Sequence, residues 1–360
     1  MFEDFLKKHN ITEKSICIGV SGGSDSLALV LMANQELKPL GYKIIALTVN
    51  HHLRESAQNE AEYVAQLMKK YDIEHHILHW QGQKPLTGIE EAARKARYNL
   101  IGQWCKKNNV KILMTAHHLY DQAETFFMRL ERGSGLDGLC GMNEVLHTPN
   151  FIIARPLLNI NPKIMKNYLI EKNINWIEDE SNYCTDLLRV KIRQFLPKFE
   201  QQTGISALKI VQTMSRLQSS KKYIDDEVSD IINNKFKNFY NMAFECNLTD
   251  FLSLDAELKY RIVGKLLKLV GHTDYTPQAD KIFNLITKVQ NTNFKSATLN
   301  KCQIKHFNNK LWFLPEQLDF IEYNTKIWKE YIKENKYYKN KKIPYEIKKI
   351  ILFNSKNKMP

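Results

Sequence analysis

The chain of 360 residues has only six cysteines, at positions 17, 105, 140, 184, 246 and 302, and no Cys-x-x-Cys. Scattered single thiols argue against a metal cluster and against a disulfide framework. They suit a reducing compartment, and a cytoplasmic location is expected. Long apolar runs are also missing. The acidic start, Met1-Phe2-Glu3-Asp4, leads into none, so neither a signal peptide nor a membrane span is expected. Negative charge is in short supply: 39 Asp and Glu face 52 Lys and Arg, a net charge of +13. That excess favours an anionic partner held by salt-dependent attraction, nucleic acid first, although a lysine-rich proteome would give the same balance. The length allows two or three domains, each large enough to bury a core.

What is present is organised around residues 17–32. Cys17-Ile18-Gly19-Val20 reads as the end of a buried strand, and Leu27-Ala28-Leu29-Val30-Leu31-Met32 opens a helix. Between them stands Ser21-Gly22-Gly23-Ser24-Asp25-Ser26. Paired glycines let the backbone turn sharply and approach a ligand. The helix start adds unpaired N–H groups and a positive dipole end. Together they form a concave site for phosphate or pyrophosphate. The loop lacks the lysine of a Walker motif. Its three serines can donate hydroxyls instead, and Asp25 can hold magnesium or orient the loop. The plain alternative is an ordinary strand-to-helix turn with a serine cap.

Downstream, residues 43–49, 74–79 and 111–116 read as strands, and 56–71 and 88–108 as helices. This alternation predicts an α/β fold with a doubly wound, mostly parallel sheet. Polar groups at the carboxyl ends of such strands mark the ligand edge. One is Asn50-His51-His52-Leu53-Arg54. His75, His76 and His79 fit a partly exposed strand better than a metal site. Arg94 and Arg97, three apart, can reach one face of their helix. After the fourth strand comes His117-His118-Leu119-Tyr120-Asp121-Gln122-Ala123-Glu124-Thr125. Asp121 and Glu124, with His117 just before them, can hold a divalent metal or receive a cationic amine. In a third reading Asp121 caps the helix and Glu124 is solvated. Residues 131–142, with four glycines among Leu and Met, suggest an ordered loop packed against the site.

Ser21–Ser26 resembles the pyrophosphate loop of the ATP-pyrophosphatase superfamily, whose members cleave ATP to AMP and pyrophosphate. With residues 49–54, 115–142 and 178–193, the first 200 residues or so resemble the tRNA(Ile)-lysidine synthetase family. Thr-Ala-His-His-x-x-Asp-Gln-Ala-Glu-Thr, running on to Arg-Gly-Ser-Gly-Leu-x-Gly-Leu-x-Gly-Met, carries the most specific match. Asn50 stands where that family often has Asp, and Val190 where it usually has Asn.

The resemblance implies ligation of free lysine to the wobble cytidine of the CAU-anticodon tRNA(Ile), through an adenylated cytidine, with ATP and Mg2+ consumed or required. It implies that Ser21, Gly22, Gly23, Ser24, Asp25 and Ser26 hold ATP phosphates and that Asp25 manages Mg2+. Asp121 and Glu124 would receive lysine or Mg2+, with His117 beside them. Arg97 and Arg189 would neutralise phosphate charge. A tRNA thiolation enzyme of the same superfamily is the rival reading; members that use clusters or persulfides need paired cysteines. A catalytically silent tRNA-binding relative is the other rival, against which the glycine loop and carboxylates speak. A homodimer is a further, weaker expectation.

The C-terminal part reads as a helical linker, 205–233, then a smaller, mainly helical tRNA-binding domain, 234–318, after a catalytic domain of residues 1–204. Helices are expected at 252–270 and 278–289. Residues 297–307 and 310–314 are expected to form a β-hairpin turning at Asn308-Asn309. Residues 321–360 carry eleven lysines and four glutamates, with Tyr331, Tyr337, Tyr338 and Tyr345 among them. Such a tail suits phosphates and bases, or is simply solvated; it also resembles an incomplete last domain of the family.

Overall fold

The structure, a computed structural model, describes residues 1–316 except 86, 149, 179–187, 240, 242 and 274. The expected basic tail, Cys184 and most of the acidic stretch after Trp176 lie outside the described residues. The chain divides into two compact units, one ending at Ser219 and the other starting at Ser220.

The first unit begins with α1 (Phe2–Lys8), β1 (Ser15–Gly19), α2 (Ser24–Leu37), β2 (Lys43–Asn50), α3 (Ala57–Lys70) and β3 (Glu74–His79). It continues with α4 (Ile89–Asn108), β4 (Ile112–Met114), α5 (Leu119–Glu131), α6 (Leu136–Leu139), β5 (Val145–His147), β6 (Ile152–Ala154), α7 (Pro162–Glu171) and α8 (Leu188–Thr203). Its six-stranded sheet has the order β3-β2-β1-β4-β6-β5. Five strands are parallel and β5 pairs antiparallel on β6. β5 was not foreseen, because three residues are too few to show a period.

Alternation along β1 sends Ile16 and Ile18 to one face, against α1, α2, α3 and α7, and Cys17 to the other, against α4. Both faces are buried, so the inner strands read as continuous apolar runs, as parallel sheets do. The chain reverses its direction of progress between β1 and β4, which opens a crevice at their carboxyl ends. The glycine loop and the His117–Glu124 segment leave the sheet at these two strand ends.

The cysteines show a pairing that spacing does not reveal. Cys17 Sγ and Cys105 Sγ lie 3.5 Å apart, both fully buried in the core between sheet and α4. The Cys17 thiol, hydrogen-bonded to Cys105 and desolvated, is pushed well above the usual thiol range. A pair packed against Ile45, Leu113 and Ile153 fills space, and its burial leaves no accessible thiol for sulfur transfer.

Of residues 205–233, expected as a helical linker, 207–233 run within one helix, α9 (Ala207–Lys235), inside which the two units divide. The second unit then has β7 (Lys237–Phe239), β8 (Ala243–Asn247), α10 (Leu248–Leu252), α11 (Ala256–Val270), α12 (Ala279–Gln290), β9 (Ser296–Leu299), β10 (Cys302–Phe307) and β11 (Lys310–Pro315). The hairpin at Asn308-Asn309 is present, with both asparagines left-handed at φ 52° and 59°. It belongs to a five-stranded antiparallel sheet of order β7-β8-β11-β10-β9. The expected single strand 297–307 is two, folded back at Asn300-Lys301, where φ is 54° and 61°. A lysine in that conformation carries no sequence signal, so the turn was invisible.

Candidate active site at the β1 and β4 strand ends

The loop after β1 is braced by its own side chains. Ser26 Oγ accepts from the Ser21 amide at 3.1 Å and donates to the Gly23 carbonyl at 3.0 Å. Its hydroxyl is therefore committed to the loop. The two glycines differ. Gly22 has φ +89°, and a Cβ there would come 2.6 Å from Ile177 Cδ1. The Gly22 carbonyl accepts from the Ile177 amide at 3.0 Å, so the segment after Trp176 is stitched to the loop. Gly23, the N-cap of α2, has an ordinary extended backbone, and a Cβ there meets nothing closer than 3.6 Å. Gly22 is demanded by the fold, whereas Gly23 is free of that demand. The first N–H groups of α2 have no helical partner and point with the dipole into the crevice.

Asp25, in the first turn of α2, faces across the crevice. Its Oδ2 lies 3.5 Å from His118 Nε2, and its Oδ1 is buried without a hydrogen-bond partner. An orphaned carboxylate oxygen beside a phosphate loop fits a divalent cation, Mg2+ in particular. No cluster of three His, Cys, Asp or Glu suited to a metal occurs among the described residues. Other ligands would have to be water and phosphate oxygens, the usual Mg2+ arrangement.

On the opposite strand the histidine that lies against Asp25 is His118, next to the expected His117. His118 is the N-cap of α5: its Nδ1 accepts from the Asp121 amide at 3.4 Å, and Asp121 Oδ2 accepts from the His118 amide at 2.9 Å. This reciprocal capping box fixes the imidazole with Nε2 toward Asp25. Burial alone would lower the His118 pKa, but Asp25, Asp121 and Glu124 outweigh it and raise it. His117 points away from that contact. Its Nδ1 lies 2.9 Å from Thr115 Oγ1, and burial, with Arg155, Arg94 and Arg189 nearby, lowers its pKa to about 4 despite Asp121. The signal for His118 was its position three residues before Asp121, a capping spacing seldom headed by histidine.

Asp121 and Glu124 come together as their spacing predicts, and both are buried. They meet two arginines of α8. Arg189 donates from Nε to Glu124 Oε2 at 2.7 Å and from Nη2 to Asp121 Oδ1 at 2.5 Å. Arg193 donates from Nε to Glu124 Oε1 at 2.6 Å. The i,i+3 acids of α5 thus face the i,i+4 arginines of α8, two charges of each sign. Burial works against ionised Asp121, yet His118 and Arg189 hold its carboxyl below the usual range. Apolar packing of Leu119 and Ala123 on Ile192 and Leu196 sets the register.

Arg189, expected to face phosphate, is instead engaged by these carboxylates, and Arg193 was missed because α8 was not recognised as a helix. Arg97, exposed on α4, makes its charge felt at His51 beyond β2. Val190 is buried on α8, so the departure from the family's residue there falls on a packing position. Asn50 is buried too; its amide donates to Gln58 Oε1 at 3.0 Å while Oδ1 accepts from the His52 amide at 2.9 Å. The glycine-rich loop is ordered as expected: Gln122 Nε2 donates to the Met142 carbonyl at 2.7 Å and Oε1 accepts from its amide at 2.8 Å.

Three histidines of this unit are held neutral down to about pH 4. They are His117, His51 (half-buried, with Arg97 and Lys84 near) and His75 (half-buried, with His76 near). Unfolded, each would titrate near 6.5. Between those values the unfolded chain binds protons that the folded one refuses, so stability is full above about 6.5 and is lost as pH falls toward 4. His118, with its raised pKa, acts oppositely: its contribution is present at acid pH and fades as pH rises through its folded value. The three outweigh the one. Urea midpoints should fall steadily on acidification below neutrality, and His75→Gln, which keeps a partner for Thr48 Oγ1 at 2.8 Å, should flatten the slope. An unchanged slope would remove His75 from this account.

Comparison with known proteins agrees with this geometry. The family model for the PP-loop domain matches residues 1–199. A tRNA(Ile)-lysidine synthase of Wolbachia pipientis wMel is 32% identical over 320 residues, 88% of this chain and 74% of that protein. One from Rickettsia bellii (strain OSU 85-389) is 33% identical over 334 residues, 86% of this chain and 73% of that protein. The matches run well beyond the PP-loop domain into the second unit. By its phosphate loop, its sheet and these relatives, the chain belongs to the tRNA(Ile)-lysidine synthase family of PP-loop proteins.

Proposed function

We propose that the chain joins free lysine to the wobble cytidine of the CAU-anticodon tRNA(Ile), changing its codon from AUG to AUA. The observation that carries this reading is the contact of Asp25, beside the glycine loop, with His118, which Asp121 caps, between the ends of β1 and β4, in a chain of this family. O2 of the cytidine attacks the α-phosphorus of ATP and pyrophosphate leaves. The lysine ε-amine then attacks C2; AMP departs with the O2 oxygen and the amine loses a proton. Activation is needed because AMP leaves readily and an oxide does not. A base in an unpaired anticodon loop can be splayed into such a crevice.

The loop N–H groups and the α2 dipole hold the departing pyrophosphate. Asp25 would hold Mg2+, which when bound neutralises phosphate charge. His118, whose Nδ1 accepts from the Asp121 amide, carries its proton at Nε2 and holds Asp25 in place. Asp121 and Glu124, matched by Arg189 and Arg193, admit an ammonium only if a guanidinium yields. Residues 1–204 are assigned the chemistry, and residues 234–318 the grip on tRNA. The test supplies tRNA(Ile) transcript, ATP and lysine and reads the nucleoside by mass spectrometry. Lysidine with one AMP released per turnover is expected. A thionucleoside formed with a sulfur donor, or tRNA binding without ATP cleavage, would replace this reading with one of its rivals.

A further inference from the structure

Arg155 follows β6 directly, where the Ala154 carbonyl accepts from the Thr115 amide at 3.0 Å at the end of β4. The residue is 4% exposed, yet no carboxylate pairs with it among the described residues. Its Nη1 donates to the Asn143 carbonyl at 2.7 Å, and its Nε is buried with no partner. A buried guanidinium without a counter-ion is expensive, and such a group persists where something anionic completes it. Burial lowers its pKa, as an unmatched cation requires.

The residue lies at the carboxyl edge of the sheet, after β6 and beside the end of β4. Arg155 acts electrostatically on His117, and its loop partner Asn143 adjoins Met142, which α5 pins through Gln122. The nearby positive groups Arg94 and Arg189 do not compete for the same role: Arg94 lies over the Tyr98 ring, and Arg189 is taken by carboxylates.

We propose that Arg155 receives the α-carboxylate of the amino-acid substrate, at the Nε that has no partner. The inference rests on the lysine-ligation reading above. A phosphate is the other anion of the right chemistry, but phosphates are served two strands away by the loop after β1. A free amino acid brings a carboxylate that needs a cation, and the arginines of α8 are already engaged by Asp121 and Glu124. Guanidinium and carboxylate match in a planar, two-bond geometry.

Cadaverine is lysine without the carboxylate, so it separates this role from a structural one. The full chain, with tRNA(Ile) transcript and ATP, is assayed with each amine. The native protein should prefer lysine, and Arg155→Met should lower kcat/KM for lysine by about 10- to 100-fold, the range of a lost charge-assisted pair. Cadaverine should lose far less, so the preference collapses. Arg155→Lys, which keeps a cation and protects the fold, should restore part of the preference. Equal losses with both amines would mean that Arg155 only supports the loop, and a raised KM for ATP with preference intact would assign it to phosphate; either overturns the proposal. Should Arg155→Met fail to fold, Arg155→Lys with unaltered selectivity overturns it as well. A native protein that adenylates no tRNA would sink the parent reading instead, a result readable without any Arg155 variant.

Discussion

Glu124→Gln should lower the stability of the first unit by about 2–3 kcal/mol and stop ligation. Breaking one side of a buried ion pair costs about 3–5 kcal/mol because a charge is left uncompensated. Here the discount is physical. Glu124 is 1% exposed, but the Arg189 and Arg193 side chains are 44% and 42% exposed and can turn partly to water. The expected change in melting temperature is roughly 5–10 °C for a unit of this size. Arg193→Met added to Glu124→Gln should recover part of the loss, since removing both partners strands no charge. Additive destabilisation in that double variant would refute the coupling.

The activity arm separates the roles open to this cluster. Adenylated tRNA is followed before steady state with lysine omitted. If Glu124 serves the amine, the intermediate forms normally and is consumed slowly. If it serves a metal, no intermediate forms. If the cluster only clamps α8 onto α5, Arg193→Met alone should slow both steps alike. Normal kinetics in both steps would take Glu124 out of the site.

Gly23→Ala should leave folding almost intact and abolish nucleotide binding, while Gly22→Ala should damage the fold itself. The reasoning is steric. At Gly23 a methyl group finds ordinary contacts, Ser21 Oγ at 3.6 Å and the Ile177 carbonyl at 3.9 Å. Only a few tenths to about 1 kcal/mol are lost by having Ala at an N-cap. On the proposed function, that methyl would occupy space where a phosphate meets the loop N–H groups. At Gly22, φ +89° costs an alanine about 1–2 kcal/mol, and Ile177 Cδ1 at 2.6 Å must move. Thermal melts with ATP affinity beside them decide it. Wild-type ATP affinity in folded Gly23→Ala would mean that phosphates do not approach there.

Much of this was legible without coordinates because the signals were local. Ser21–Ser26 after an apolar strand, the period of residues 56–71, and Asp121 with Glu124 on one helical face all follow from chain geometry over a few residues. The alternation of strands and helices implied the parallel sheet, and with it the ligand edge. The asparagine pair at 308–309 announced its turn because asparagine tolerates the left-handed region. What remained hidden depends on which distant segments meet. Arg189 and Arg193 are 65 or more positions from the acids they bind, and nothing in their own neighbourhood reveals that partnership. Cys17 and Cys105 meet only because β1 and α4 pack face to face. Whether His117 or His118 enters the crevice is decided by the helix cap, and whether Gly22 or Gly23 is indispensable by the approach of Ile177. Local backbone preference wrote the elements and their motifs into the sequence. Pairing of charges, burial and steric contact across the sheet are long-range consequences of packing, and only the tertiary structure chose them.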